Sequence, residues 1–64
     1  MTRVYSIEEL MKLEKSLSKD DVGHKVERII ITKEYGETSE YYTVVQDELG
    51  VRLKYDGLFT EWRN

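Results

Sequence analysis

The chain has no cysteine and only one histidine, His24, among its 64 residues. A domain of this length buries only about 60% of the surface that its unfolded chain exposes, so its hydrophobic core is small. Natural domains of this size are commonly reinforced by disulfides, a structural metal or a partner subunit. Without cysteine, disulfides are excluded and a structural metal would have no thiolate ligands. The sequence therefore favours oligomerisation or binding to a larger protein.

Composition limits the class of protein further. The formal net charge is −3 and charged residues make up 36% of the chain, which weighs against a general binder of nucleic-acid phosphates. The longest aliphatic run, Ile29-Ile30-Ile31, is too short to cross a membrane. The opening residues 1–5 lack the apolar run of a signal peptide. We expect a cytoplasmic protein that does not bind membranes.

A helix is predicted near the start of the chain. Ser6 and Glu9 have the spacing of a capping box, in which each satisfies a free N–H group of the first turn. Apolar residues then recur on one face at helical spacing: Ile7, Leu10, Met11 and Leu17. The pattern predicts a helix from Ile7 to Leu17, followed by a single turn near Ser18.

The rest of the chain has the pattern of strands. β-Branched and aromatic residues predict four of them: Val26–Tyr35, Tyr41–Gln46, Val51–Tyr55 and Leu58–Trp62. Three connections separate these strands: a polar loop at Gly36–Glu40, a turn at Asp47–Gly50 and a hairpin at Asp56-Gly57.

The predicted connections set the register of the sheet. A two-residue turn at Asp56-Gly57 and odd-length loops elsewhere give one strongly apolar face: Ile29, Ile31, Tyr35, Tyr41, Thr43, Val45, Val51, Leu53, Tyr55, Leu58, Thr60 and Trp62. The helix is expected to cover this face. Residues 1–64 are then a single small α+β domain, an N-terminal helix packed on a four-stranded antiparallel β-meander. A small curled β-barrel with an N-terminal helix is the alternative.

The second face of this predicted sheet is the candidate binding surface. It keeps apolar and aromatic side chains beside basic ones, as the centres of protein interfaces do. The candidate partner-binding residues are Arg28, Ile30, Tyr42, Val44, Arg52, Lys54 and Phe59. Two alternatives remain open: residues 1–5 fold back over the patch, or the apolar residues are singly exposed, as is common on protein surfaces.

No catalytic signature is present. The sequence lacks a nucleophile elbow, a phosphate-binding glycine loop, a dinucleotide fingerprint and a zinc-protease motif. Neither Asp20-Asp21 nor Asp47-Glu48 has the further oxygen ligands of a calcium loop, and His24 alone cannot hold a metal. We expect no enzyme activity, no cofactor and no small-molecule substrate.

The function predicted from the sequence is a non-enzymatic protein–protein interaction module, a regulator or inhibitor of a larger protein, or a homodimer. Its small size and mild acidity are similar to those of small regulatory proteins of bacteriophages, a similarity of composition and not of motif. The alternative is a single-stranded nucleic-acid binder that stacks bases on Tyr42 and Phe59.

Overall fold

The computed structural model describes residues 1–34 and 36–61, the last three of these by their backbone alone. The elements in chain order are strand β1 (Thr2–Val4), helix α1 (Ile7–Lys15), a 3-10 turn (Lys19–Asp21) and strands β2 (Lys25–Thr32), β3 (Gly36–Asp47) and β4 (Gly50–Glu61). The strands form one sheet in the order β1-β2-β3-β4. This confirms the α+β class, with an N-terminal helix on a four-stranded sheet. Among the described residues β1 and β4 are separate edges, so the sheet is open and the barrel alternative is wrong.

The sheet is mixed, not antiparallel throughout as predicted. β1 runs parallel to β2, with Thr2 opposite Val26 and Val4 opposite Arg28, whereas the other two pairings are antiparallel. Parallel neighbours need a crossover connection, and α1 supplies it. Three residues are too few to show a periodic pattern, so β1 could not be predicted from the sequence.

The helix begins where the sequence predicts. The Glu9 backbone N–H donates to the Ser6 hydroxyl oxygen at 3.1 Å, which caps the first turn. α1 ends at Lys15, two residues before the predicted end, where the Ser16 hydroxyl donates to a backbone carbonyl of the last turn. The predicted turn after Ser18 is confirmed as the 3-10 turn.

The predicted hairpin at Asp56-Gly57 is wrong. β4 continues through it, with Tyr42 opposite Tyr55 and Tyr41 opposite Gly57. Asp56 is therefore an extra residue in β4, and the irregularity is a β-bulge. Because β3 is as long as β4, it can pair with both sides of the bulge, and no reversal of the chain is needed.

The predicted loop at Gly36–Glu40 is also wrong, because these residues begin β3. Thr32 pairs with Gly36, which confines the connection to residues 33–35. The polar residues of this segment have partners in β2, among them Glu40, which forms an ion pair with Arg28 at 2.6 Å. Polar composition alone made the segment resemble a loop.

One turn decides which face of β3 meets the helix. Asp47 pairs with Gly50, so the turn has two central residues and not the odd number that was predicted. A shift of one residue moves every side chain of a strand to the other face. Val44, not Val45, therefore lies opposite Leu53 and faces α1.

The main core lies between α1 and the sheet. Its buried members are Val4, Leu10, Val26, Val44 and Leu53, with Leu13, Leu17, Tyr42 and Val51 packed around them. The predicted facing of Ile29, Ile31 and Val45 toward the helix is wrong, because the register places them on the opposite face. The predicted core residue Trp62 lies outside the described residues, as does Tyr35.

The helix covers only one end of the sheet. Nine helical residues span about 14 Å, whereas the twelve residues of β3 span about 40 Å, in keeping with a longest dimension of 42 Å. We call the end that carries the helix-side core the proximal half. The end beyond the bulge, made of Ile29–Thr32, Gly36–Tyr41 and Gly57–Glu61, is the distal half.

Candidate interaction surface

The seven residues predicted to form a binding surface do not share one face. Cross-strand pairing places four of them on the helix side of the sheet: Arg28, Ile30, Tyr42 and Val44. Arg52 and Lys54 lie on the opposite face, and Phe59 is described only by its backbone, which pairs with Ser39. Val44 is 1% exposed and packs in the core, so it is not available to a partner in this structure.

The two helix-side polar residues of this set, Arg28 and Tyr42, both contact Glu40. The Arg28 guanidinium contacts the Glu40 carboxylate, and the Tyr42 hydroxyl donates to the same carboxylate at 3.3 Å. The Tyr42 ring meets Tyr55 edge to face with 5.6 Å between ring centroids. Burial, followed by the negative charge of Glu40, raises the pKa of Tyr42. These contacts fix Tyr42 in the sheet and restrict its use as a stacking platform.

The opposite face carries ion pairs. Arg52 contacts Asp47, and Lys25 contacts Asp56 at 3.1 Å. Hydrogen bonds lower the pKa of both carboxyl groups. The largest cause is the bond from Arg52 for Asp47 and the bond from the Thr43 hydroxyl for Asp56. Two of the three basic residues in the predicted surface, Arg28 and Arg52, are thus engaged with carboxylates, which weakens the nucleic-acid interpretation.

Glu27 is a nearly buried carboxylate on the same face. Arg3 forms an ion pair with it at 3.1 Å, and the Tyr41 hydroxyl donates to it at 3.2 Å. A hydrogen bond from Ser39 is the largest of several causes that lower the pKa of Glu27. These contacts join Glu27 on β2 to side chains of β1 and β3, as expected of a carboxylate with a structural role. Among the described residues, no three side chains are grouped as a metal site.

The outer edge of β4 is the strongest candidate for binding. Among the described residues, no strand pairs with that side of β4. The direction of its backbone groups follows from two contacts. The Leu53 N–H donates away from β3, to the Glu14 carboxylate at 2.9 Å. Opposite it, the Val44 N–H and C=O both bond toward the β2 side, to His24 and Gly23.

The remaining directions follow by alternation. In an antiparallel ladder, every second residue turns both backbone groups away from its partner strand. In the proximal half, Val51, Leu53 and Tyr55 therefore face the outer edge. Beyond the bulge the pairing of β3 continues without a break, so Leu58 and Thr60 face the edge there. This segment of β4, Gly57–Glu61, is the distal edge.

Exposed apolar side chains accompany the distal edge. Leu58 is 58% exposed, and Tyr55, just before the bulge, is 52% exposed. Among the residues that the structure describes, no side chain bonds to the backbone of Leu58. This edge could not be predicted from the sequence, because Asp56-Gly57 has the pattern of a hairpin, which would have covered one side of the strand before it. No sequence signal distinguishes this edge, since proline, which marks edge strands, is absent from the whole chain.

Comparisons with known proteins give no match: no protein-family model matches the chain, and neither do the curated proteins or the solved structures that were searched. Within the described part of the chain, α1 and the 3-10 turn are both far too short to span a bilayer.

Proposed function

We propose that this chain is a non-enzymatic protein-interaction module that binds an extended segment of a partner protein along the distal edge of β4. The observation that supports this most is the distal edge, which no strand of the described residues covers and along which the backbone groups of Leu58 and Thr60 face outward. An unpaired edge of this kind is a template for an added strand. Main-chain hydrogen bonds supply affinity in such complexes, and alternate side chains supply specificity.

The apolar content of the edge indicates the chemistry of the partner. Leu58 and Tyr55 are exposed on the helix-side face of β4. An added strand with apolar residues at alternate positions would cover both of them. The expected partner is therefore an extended segment with apolar side chains on one face, and not a folded basic or acidic surface.

A proline substitution tests the site directly. Proline removes the N–H that Leu58 turns outward, and it is tolerated on edge strands because that N–H is not part of the ladder. Leu58→Thr is the matched control, since threonine keeps the N–H and favours strands. Wild type and Leu58→Thr should retain a partner from the native host after nuclease treatment, and Leu58→Pro should lose it while remaining folded.

Three other results would contradict the proposal. One is equal partner recovery by a folded Leu58→Pro protein and by Leu58→Thr. Another is recovery that nuclease or added salt abolishes, which would instead support the nucleic-acid alternative. The third is a chain that recovers no host protein and pairs only with itself through Leu58 and Thr60.

A further inference from the structure

We infer that Glu14 prevents two copies of this chain from pairing through the proximal half of β4. The Glu14 carboxylate reaches from α1 to the strand and accepts the outward N–H of Leu53 at 2.9 Å. The two residues are 39 positions apart in the sequence, so this contact exists only in the folded domain. It occupies the central donor of the edge formed by Val51, Leu53 and Tyr55.

The position of Glu14 on the helix explains its reach. Leu10, four residues before it in α1, is buried in the core, and Leu17, just beyond the end of the helix, packs against the same core. Residues four apart share one side of a helix, so Glu14 lies on the side of α1 that meets the sheet. Glu14 is exposed, yet its carboxylate is held over the boundary of the sheet, where a second strand would have to approach.

The charges of β4 act against the same contact. Two identical edges pair antiparallel about a two-fold axis, so each residue meets a partner set by the axis position. With the axis at Leu53, Arg52 of one copy lies opposite Lys54 of the other, twice. Like charges directly opposite each other destabilise a strand pair. Charged side chains on an edge are a common protection against self-association.

The occupant that these features exclude is a second copy of the chain. A copy presents the same edge with the same charges, whereas a foreign strand need not carry a basic residue at either position. The distal edge has neither protection among the described residues, because no side chain there bonds to Leu58 and no lysine or arginine occurs between Asp56 and Glu61. The inference concerns the proximal half alone and does not depend on partner binding at the distal edge.

A double substitution removes both protections. Glu14→Ala frees the Leu53 donor, and Lys54→Glu turns the repulsion opposite Arg52 into attraction. The matched control, Glu8→Ala with Lys54→Glu, has the same net charge and loses an exposed carboxylate of the same helix. In sedimentation equilibrium we expect the Glu14 double variant to dimerise with a dissociation constant at least about tenfold lower than that of the control. Both variants gain the two ion pairs with Arg52, but only the Glu14 variant frees the two Leu53 donors for hydrogen bonds between the copies. Hydrogen exchange should then be slowed at Val51, Leu53 and Tyr55.

Two further measurements make the result decisive. Glu14→Gln keeps an oxygen that accepts the Leu53 N–H, so combined with Lys54→Glu it should behave as the control does. In the unmodified protein, the Leu53 amide should exchange more slowly than those of Val51 and Tyr55. The inference is overturned if the folded Glu14→Ala double variant sediments as the control does, or if its new protection lies at Leu58 and Thr60. Even if that variant fails to fold, rapid exchange of Leu53 in the wild type would overturn it.

Discussion

Val44 shows how one residue can determine the interpretation of a whole surface. The sequence placed it on an open face, but it is 1% exposed and packs between α1 and the sheet. The difference arises from a single residue in the length of the β3–β4 turn. Sequence patterns predict that a valine lies in a strand, but in a strand with apolar residues on both faces they do not determine the face.

Val44→Ala should therefore lower stability. Removing two methyl groups from a closed core site should reduce the free energy of unfolding by about 2 kcal/mol, from the lost burial and the cavity that remains. Val45→Ala, one position along on the opposite face, is the control and should cost less than half as much. Urea denaturation of both variants checks this, and equal losses would contradict the observed register.

Glu27 gives the fold a predicted dependence on acid. Its folded pKa lies below the ordinary value of 4.5, chiefly because of the Ser39 hydrogen bond. A lowered folded pKa means that the stabilisation is complete above the unfolded pKa and is lost as pH falls through the folded one. The wild type should thus lose stability as pH decreases below about 4.5.

Two variants isolate the contribution of Glu27. Glu27→Gln should be less stable than wild type at neutral pH, and its stability should fall less steeply in acid. Ser39→Ala removes the main hydrogen bond and should reduce the acid dependence in the same direction. Urea denaturation at a series of pH values measures both effects. An acid dependence unchanged in Glu27→Gln would refute the assignment.

The elements differ in how well the sequence predicts them. α1 was predictable because the Ser6 cap and the leucine spacing are local signals. β2 was predictable from its β-branched run. The bulge in β4 was not, because Asp56-Gly57 has the composition of a tight turn. The hydrogen bonds of Asp56 to Lys25 on β2 and Thr43 on β3 exist only in the folded sheet. They show that Asp56 connects strands and does not reverse the chain.

The backbone conformation of the bulge requires glycine at position 57. Its φ is +140°, a value that L-residues rarely adopt, and apart from its two chain neighbours no described residue has an atom within 4 Å of the place that a Cβ would occupy. Gly57→Ala should therefore destabilise the domain through backbone strain, by about 1–3 kcal/mol, and not through a clash. A chemically synthesised chain with D-alanine at position 57 is the control, because a D-residue favours positive φ. Thermal unfolding should place D-alanine near wild type and L-alanine below it; equal midpoints for the two would contradict the bulge geometry.

At the scale of the whole molecule, the candidate site could not be predicted because it depends on what α1 leaves uncovered. The sequence pattern predicts a meander of short strands whose face a helix could cover fully. The structure instead has two twelve-residue strands beside a nine-residue helix. Strand length depends on whether pairing continues through Gly36–Glu40 and the bulge, which is a property of neighbouring strands and not of local sequence.

This uneven cover predicts uneven stability along the sheet. The buried cluster around Val44 and Leu53 lies at the proximal end. In the distal half the one buried apolar side chain among the described residues is Ile29, whereas Ile31 is 76% exposed and Leu58 is 58% exposed. Regions with few buried apolar contacts open locally at a lower free energy than the core. In native-state hydrogen exchange, ladder amides of the proximal half, such as that of Val44, should therefore exchange only through global unfolding. Those of the distal half, such as that of Ile30, should exchange through local opening, with little dependence on low concentrations of urea.

A bound strand at the distal edge should raise distal protection toward the proximal value. Uniform protection in the free protein would mean that the distal half has a second core of its own and does not need a partner to be stable.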